Sequence, residues 1–163
     1  MSTTTLKSNH IFSYLKPEEI DFLSNYATTE QYKAGAIVYR KGQPASRAYV
    51  LLEGEVLLRV PSQTGQDLIV EQASSGTMIG ASVLLGETYM VTAQCLTDCK
   101  IMNIGKTPLE RIVEANPQMG LVIEQYLAEM YYQRSIDLMH KLEALIREVP
   151  SETEWERRPV AIA

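Results

Sequence analysis

The chain has 163 residues, 45% of them hydrophobic, with 20 acidic against 15 basic side chains and a formal charge of −5. That length suits one domain with an appended element, and no second full domain is expected. The acidic balance argues against adhesion to DNA, RNA or anionic lipid, which rests on clustered basic groups that neutralise phosphates. No run approaches the roughly 18 consecutive apolar residues of a membrane span, and the N-terminal segment lacks the apolar stretch of a signal sequence, so a soluble cytoplasmic protein is expected.

Residues 8 to 27 carry Ile11, Phe12, Leu15, Ile20, Phe22 and Leu23, a pattern that fits short helices. The second is predicted to start at Lys16-Pro17, because proline at a first helical position gives up only a donor that had no partner. From residue 30 to about 104 the pattern changes to short apolar or alternating runs at 36–40, 48–52, 55–60, 67–72, 90–96 and 100–104. Gly35, Gly42, Gly54, Gly65 and Gly76 fall around and between them. Closely spaced strands joined by tight turns require this, and an all-β sandwich or barrel is predicted.

Thr107-Pro108-Leu109-Glu110 predicts a helix capped by the threonine, with proline first and an acid in its first turn, ending at Asn116-Pro117. A longer helix is expected over 118–149, before Pro150. Along it Ala128, Tyr131, Ser135, Leu138, Leu142, Leu145 and Val149 recur at alternating three and four spacing, the seam of a two-stranded coiled coil. Ile123, Leu127 and Met130 form a second stripe facing another way. The first half is therefore expected to cover the barrel and the second half to pair with a partner helix, most simply a second copy in a two-fold dimer. The alternative is a helix packed wholly on its own domain. Residues 151–163 read as a polar, flexible tail with Trp155 as one anchor, so the organisation predicted is a domain over 1–150 and a tail over 151–163.

Few residues offer chemistry. Cys95 and Cys99, if they share one strand, face the same side roughly 13 Å apart, too far for a disulfide, and read as small buried hydrophobes. The two histidines, His10 and His140, cannot make the several-histidine metal cluster of β-barrel oxygenases. No Gly-x-Ser-x-Gly elbow or supported nucleophile is present, and Tyr131 and Tyr132 read as interface aromatics, so no enzyme is expected. Between Arg59 and Lys100 there is no lysine or arginine. That gap holds the segment at 76–92, which reads Gly-Thr-Met-Ile-Gly-Ala-Ser-Val-Leu-Leu-Gly-Glu-Thr-Tyr-Met-Val-Thr, with small residues suited to close backbone approach.

The segments Gly35-Ala36-Ile37-Val38-Tyr39-Arg40-Lys41-Gly42, Ala48-Tyr49-Val50-Leu51-Leu52-Glu53-Gly54-Glu55-Val56 and Gly76-Thr77-Met78-Ile79-Gly80-Ala81-Ser82-Val83-Leu84-Leu85 stand between a helical lead-in and a long helix after Asn-Pro. In that order, over residues 12 to 148, they resemble the cyclic nucleotide-binding domain of catabolite-activator-type regulators, kinase regulatory subunits and gated channels. The resemblance implies a mainly β fold with flanking helices: a double-stranded β-helix of jelly-roll, cupin-like type with N-terminal helices and a long C-terminal dimerisation helix. It also implies a phosphate-binding cassette at 80–92. There helix-start amides and an arginine hold the cyclic phosphate, while a glutamate holds the ribose hydroxyl.

The ligand-binding positions it implies are Gly80, Ala81, Ser82, Val83, Tyr89, Met90 and Thr92, joined by Arg134 and Ser135, where activators place a purine-contacting hydroxyl pair. The charged anchors depart from the family pattern. Ala81 stands at the glutamate position, Tyr89 or Met90 at the arginine, and Met90 or Val91 at the small polar residue after it. A charged hydrogen bond contributes about 1.5–3 kcal/mol, so losing two weakens a nucleotide on the order of a hundredfold or more. Asp67, Glu71, Glu87 and Asp98 in the same stretch push the potential further against an anion. One cation re-enters if Arg134 reaches the pocket of its own or the partner subunit; the alternative is a solvated arginine paired with Asp137 or Glu129.

The function expected is a non-enzymatic regulatory module, dimeric through its long helix. No cofactor is expected with certainty, and cyclic AMP or cyclic GMP is expected to bind weakly if at all, leaving another metabolite as the alternative ligand. The alternatives are a protein whose filled pocket is vestigial and whose function is dimerisation or interaction, or a subunit acting on a separate effector protein. Transcriptional relatives continue into a helix-turn-helix after the long helix, whereas thirteen residues follow Pro150 here, so this chain alone is not expected to read DNA.

Overall fold

A computed structural model describes residues 11–145 of the chain. His10, Val149, Pro150, Trp155 and the expected tail at 151–163 lie outside the described residues. A 3-10 turn at Ile11–Ser13 leads into helix α1 at Pro17–Ser24. Its cap is Lys16, whose backbone N–H donates to a Glu19 carboxylate oxygen at 2.8 Å, so the acid satisfies a donor outside the helix ladder. The predicted start is the observed one.

Eight strands follow: β1 Thr28–Tyr32, β2 Ile37–Tyr39, β3 Arg47–Glu53, β4 Val56–Val60, β5 Leu68–Ala73, β6 Met78–Ile79, β7 Thr92–Cys95 and β8 Cys99–Gly105. They form two four-stranded antiparallel sheets, ordered β1-β8-β3-β6 and β2-β7-β4-β5. Successive strands such as β3 and β4, or β7 and β8, lie in opposite sheets, so the chain shuttles between layers as in the jelly roll expected. Inner faces meet at Leu51, Val56, Leu58, Ala93 and Ile101, all at most 2% exposed. Burying each large apolar side chain contributes about 1.5–3 kcal/mol.

The shuttle from β3 to β4 turns at Gly54, where φ is +93°. A Cβ there would sit 2.5 Å from the Asp98 carbonyl oxygen and 2.7 Å from Cys99 Sγ, so no larger residue fits. Cys95 and Cys99 do not share a strand, because β7 ends at the first and β8 begins at the second. Both are buried free thiols, and burial pushes that of Cys95 up to about 12.

Helix α2 spans Lys106–Ala115 and α3 spans Pro117–Leu145. The cap of α2 is Gly105, not Thr107. Strand β8 runs directly into the helix and Lys106 N–H is held by the Ser46 carbonyl at 3.0 Å, which draws the start two residues earlier. In α3, Ile123, Leu127 and Met130 are buried, while Leu142 and Leu145 on the other stripe are 53% and 75% exposed. The first half of the helix packs on the β-roll; the second half also touches its own β5, through Arg134 and Lys141, and of its expected seam Leu138 is half-buried there while Leu142 and Leu145 are open.

Candidate functional site at the turn after β6

Gly80 turns the chain out of β6 in the left-handed region, at φ +73°, and a 3-10 helix at Ala81–Leu85 follows, closed by Gly86 at φ +70°. A Cβ at Gly80 would meet Tyr49 Cδ2 at 3.0 Å and the Arg47 carbonyl oxygen at 3.1 Å. The residue keeps both the turn and the close approach of the turn to β3.

Beside this turn lies a cavity of about 170 Å³, and Gly80, Ala81, Ser82, Tyr89, Met90, Arg134 and Ser135 all line it. Seven of the nine positions singled out from sequence are thus brought together. Val83 instead packs in the core at 1% exposure, and Thr92 turns away, its hydroxyl accepting from Lys41 N–H at 3.1 Å. Met90 lines the mouth and is 66% exposed.

Tyr89 stands where a cation was sought, and its bonds explain how the fold accommodates a phenol. Its ring stacks on Tyr39 with centroids 4.1 Å apart, and Tyr39 stacks in turn on Tyr49 at 5.5 Å. Its hydroxyl accepts from Ser46 N–H at 3.3 Å and Arg47 N–H at 3.1 Å and donates to the Arg47 carbonyl at 2.9 Å. The phenol is committed to the backbone of β3. Burial pushes the phenols of Tyr39 and Tyr49 above the ordinary tyrosine range, so both are neutral at physiological pH.

The cation of the site comes from α3. Arg134 Nε donates to Glu71 of β5, and the guanidinium carbon lies 5.4 Å from the Tyr131 ring centroid. Asp137 and Glu129, the partners expected for a solvated arginine, are otherwise engaged: Asp137 accepts from Gln133 at 3.1 Å and Glu129 from the Tyr14 hydroxyl. The Arg134 side chain is 13% exposed, and its Nη2 is buried without an acceptor among the described residues. Ser135 Oγ donates to the Tyr131 carbonyl at 2.9 Å, so its proton is committed to the helix backbone and the oxygen keeps its capacity to accept.

Sequence reasoning missed Tyr39 and Leu138 as lining residues and read Glu71 only as repulsive. The cation gap between Arg59 and Lys100 is a gap in sequence and not in space. Asp67 pairs with Arg59, Glu71 with Arg134, and Asp98 with Lys33 at 2.9 Å. The Ala34 N–H and then Lys33 hold the Asp98 carboxyl below the usual carboxylate range.

A cyclic nucleotide fits this site incompletely. The turn supplies no carboxylate for a ribose and no cation for a phosphate, and the guanidinium present is already neutralised by Glu71. The cavity is also below the roughly 300 Å³ at which pockets for drug-sized ligands begin. Among the described residues no group of three or more candidate ligands could hold a metal, and no helix is long and apolar enough to cross a membrane.

Comparison with known proteins decides the family, because the model of the cyclic nucleotide-binding domain matches residues 29–116. The chain belongs to the cyclic nucleotide-binding domain family. It is 22% identical over 111 residues to the cAMP-activated global transcriptional regulator CRP of Haemophilus influenzae, covering 67% of this chain and 50% of that protein. It is 29% identical over 105 residues to the transcriptional regulator SdrP of Thermus thermophilus, covering 63% of this chain and 50% of that one. The chain thus spans about half the length of these curated relatives.

Among solved structures, the c-di-GMP responsive global regulator CLP of Xanthomonas campestris superposes with a TM-score of 0.73 at 19% identity, covering 80% of this chain and 64% of that one. The sensor domain of the regulator DNR of Pseudomonas aeruginosa gives 0.62 at 23% identity, covering 90% and 92%. These establish for this cyclic nucleotide-binding domain the jelly-roll fold with its long C-terminal helix. Arg134 lies beyond the matched residues, on the helix that follows them.

Proposed function

We propose that this chain is a non-enzymatic sensor module, dimeric through α3, whose cavity takes a small molecule in an unconventional way. The ligand is a cyclic nucleotide bound weakly, or another polar metabolite. The observation that carries this reading is Arg134, which α3 delivers to the cavity wall and whose Nη2 is buried and, among the described residues, without an acceptor. Such a donor costs about 1–3 kcal/mol, and a ligand acceptor that reaches it recovers that loss. Because the donor sits on the long helix, a ligand engaging it biases the position of that helix, which transmits the change to the dimer. The exposed stripe at Leu142 and Leu145 supports pairing of that half.

The experiment is thermal shift of the purified protein against cyclic AMP, cyclic GMP, cyclic di-GMP and a metabolite panel, in the wild type and in Arg134→Ala. A ligand specific to the folded state raises the melting temperature by mass action. Stabilisation that needs ligand far above micromolar and vanishes in Arg134→Ala is expected. Stabilisation by micromolar cyclic AMP that survives the substitution refutes the reading.

The small cavity and the Tyr39–Tyr89 stack favour a second reading. In it the pocket is vestigial and the protein is an interaction module or a subunit acting on a separate effector. A dimer that responds to no ligand in the panel supports this one.

A further inference from the structure

The cavity that holds Arg134 is small and electrically balanced, and together these properties select a chemical class of ligand. We infer that it takes a single uncharged aromatic ring bearing a primary carboxamide, an inference that rests on the sensor reading proposed for this site. The cavity volume is about 170 Å³, and an apolar cavity of about 150 Å³ is enough to hold benzene. One six-membered ring with a short substituent therefore fits, whereas a base, a ribose and a phosphate together do not. Leu58, Val70, Val91 and Leu138 give the walls apolar surface, and Tyr39, Tyr89 and Tyr131 give them aromatic surface, on which a ring packs offset or edge-on. Tyr89 spends its hydroxyl on Ser46 and Arg47, so it brings ring and no free polar group.

Charge and hydrogen bonding select the substituent. Glu71 already neutralises Arg134, and Arg134 is the one ionised side chain in the lining. An entering carboxylate or phosphate has to compete with Glu71, whose side chain is 20% exposed, and stranding that charge is costly. A neutral acceptor meets no such penalty. Arg134 Nη2 is buried without an acceptor among the described residues, and a carbonyl oxygen would satisfy it. The next residue supplies the complement: Ser135 Oγ gives its proton to the Tyr131 carbonyl and keeps the capacity to accept, so it suits an amide N–H. A primary carboxamide carries both groups on one plane, a ketone only the acceptor, and a carboxylate no donor. The cavity lies between α3 and Tyr39 of β2, Leu58 of β4 and Val70 of β5, so occupancy requires no free outer face of that helix.

The test is titration of the whole protein with benzamide, benzoate, acetophenone and toluene, read by saturation-transfer NMR and by melting temperature, with cyclic AMP run alongside. Saturable benzamide binding at about 1 mM or tighter is expected, within reach of about nine non-hydrogen atoms. It should exceed benzoate about tenfold, and acetophenone and toluene severalfold, the scale of one or two hydrogen bonds. Ser135→Ala is expected to remove the advantage over acetophenone, and E71L/R134M, which deletes the donor without stranding a charge, to weaken benzamide about tenfold. Glu71→Gln should raise benzoate relative to benzamide, a reversal that altered packing does not produce. Benzoate or toluene binding the wild type as tightly as benzamide overturns the inference, as does a benzamide affinity that neither Ser135→Ala nor E71L/R134M changes. Stabilisation by cyclic AMP that depends on Arg134, with no binding of benzamide, overturns it and leaves the sensor reading standing. A protein that binds none of these probes and no member of the metabolite panel overturns both.

Discussion

At the scale of single residues the Glu71–Arg134 pair governs what the cavity tolerates. The two side chains are 20% and 13% exposed, so desolvation is substantial and neither charge is cheap to leave alone. Glu71→Gln strands the guanidinium and is expected to destabilise the fold by about 1–3 kcal/mol in urea unfolding, below the 3–5 of a fully buried pair. The double change E71L/R134M removes both charges and is expected to recover most of that loss. Glu71→Gln also frees the cation for a ligand, so a cyclic nucleotide should stabilise this variant more than wild type; a smaller effect would show that Arg134 does not reach the ligand. Tyr89→Phe isolates the phenol: the stack on Tyr39 survives, while Ser46 N–H, Arg47 N–H and the Arg47 carbonyl lose their partner. An unsatisfied polar group costs about 1–3 kcal/mol, and a loss in that range is expected from the urea midpoint.

At the scale of elements, the crossing of α2 and α3 depends on a residue without a side chain. A Cβ on Gly120 would lie 2.8 Å from Val113 Cγ1. Alanine in a helix is favoured over glycine by about 1 kcal/mol, whereas overpacking a close contact costs about 1–3 kcal/mol. The contact term is expected to win, lowering the melting temperature of Gly120→Ala, and Val113→Ala added to it should restore stability by vacating the clash. The same elements show what can be read without coordinates. Pro17 and Asn116-Pro117 declared helix boundaries because proline acts locally, and the glycine-punctuated runs became β2 to β5, β7 and β8. Strand β1 was missed because four of its five residues are exposed and polar. It is held by pairing with β8, a long-range fact that no local pattern carries. The cap of α2 was misplaced for a similar reason, since the Ser46 carbonyl that receives Lys106 N–H is sixty residues away. At the site, Gly80, Ala81 and Ser82 were legible through their order in a family pattern. That Glu71 would partner Arg134 was not, because β5 and α3 meet only in the folded chain.

For the molecule as a whole, the protonation states of its phenols and thiols set a limit on the alkaline side. Burial raises the phenols of Tyr32, Tyr39, Tyr49, Tyr126 and Tyr131, and a hydrogen bond to Glu129 raises that of Tyr14. Tyr14 and Tyr32 are pushed up to about 12, from an ordinary value of 10.0, and Cys95 to about 12, from 9.0. A proton held more tightly in the folded state stabilises that state below the unfolded value, and the contribution is lost as pH rises towards the folded one. Stability is therefore expected to hold from neutral pH to about 9, to begin falling as the unfolded thiolate forms, and to fall steeply above 10, where unfolded tyrosines ionise together. On the acid side the groups held below their ordinary range, Asp98 and Glu129, are exposed, so that limb should be shallow. Calorimetric melting temperatures across this range test the asymmetry. Cys95→Ala should flatten the curve between pH 9 and 10, the interval in which the thiol titrates ahead of the phenols. A curve unchanged by that substitution, or stability constant through pH 11, would mean that the buried tyrosines and Cys95 ionise without opening the two-sheet core.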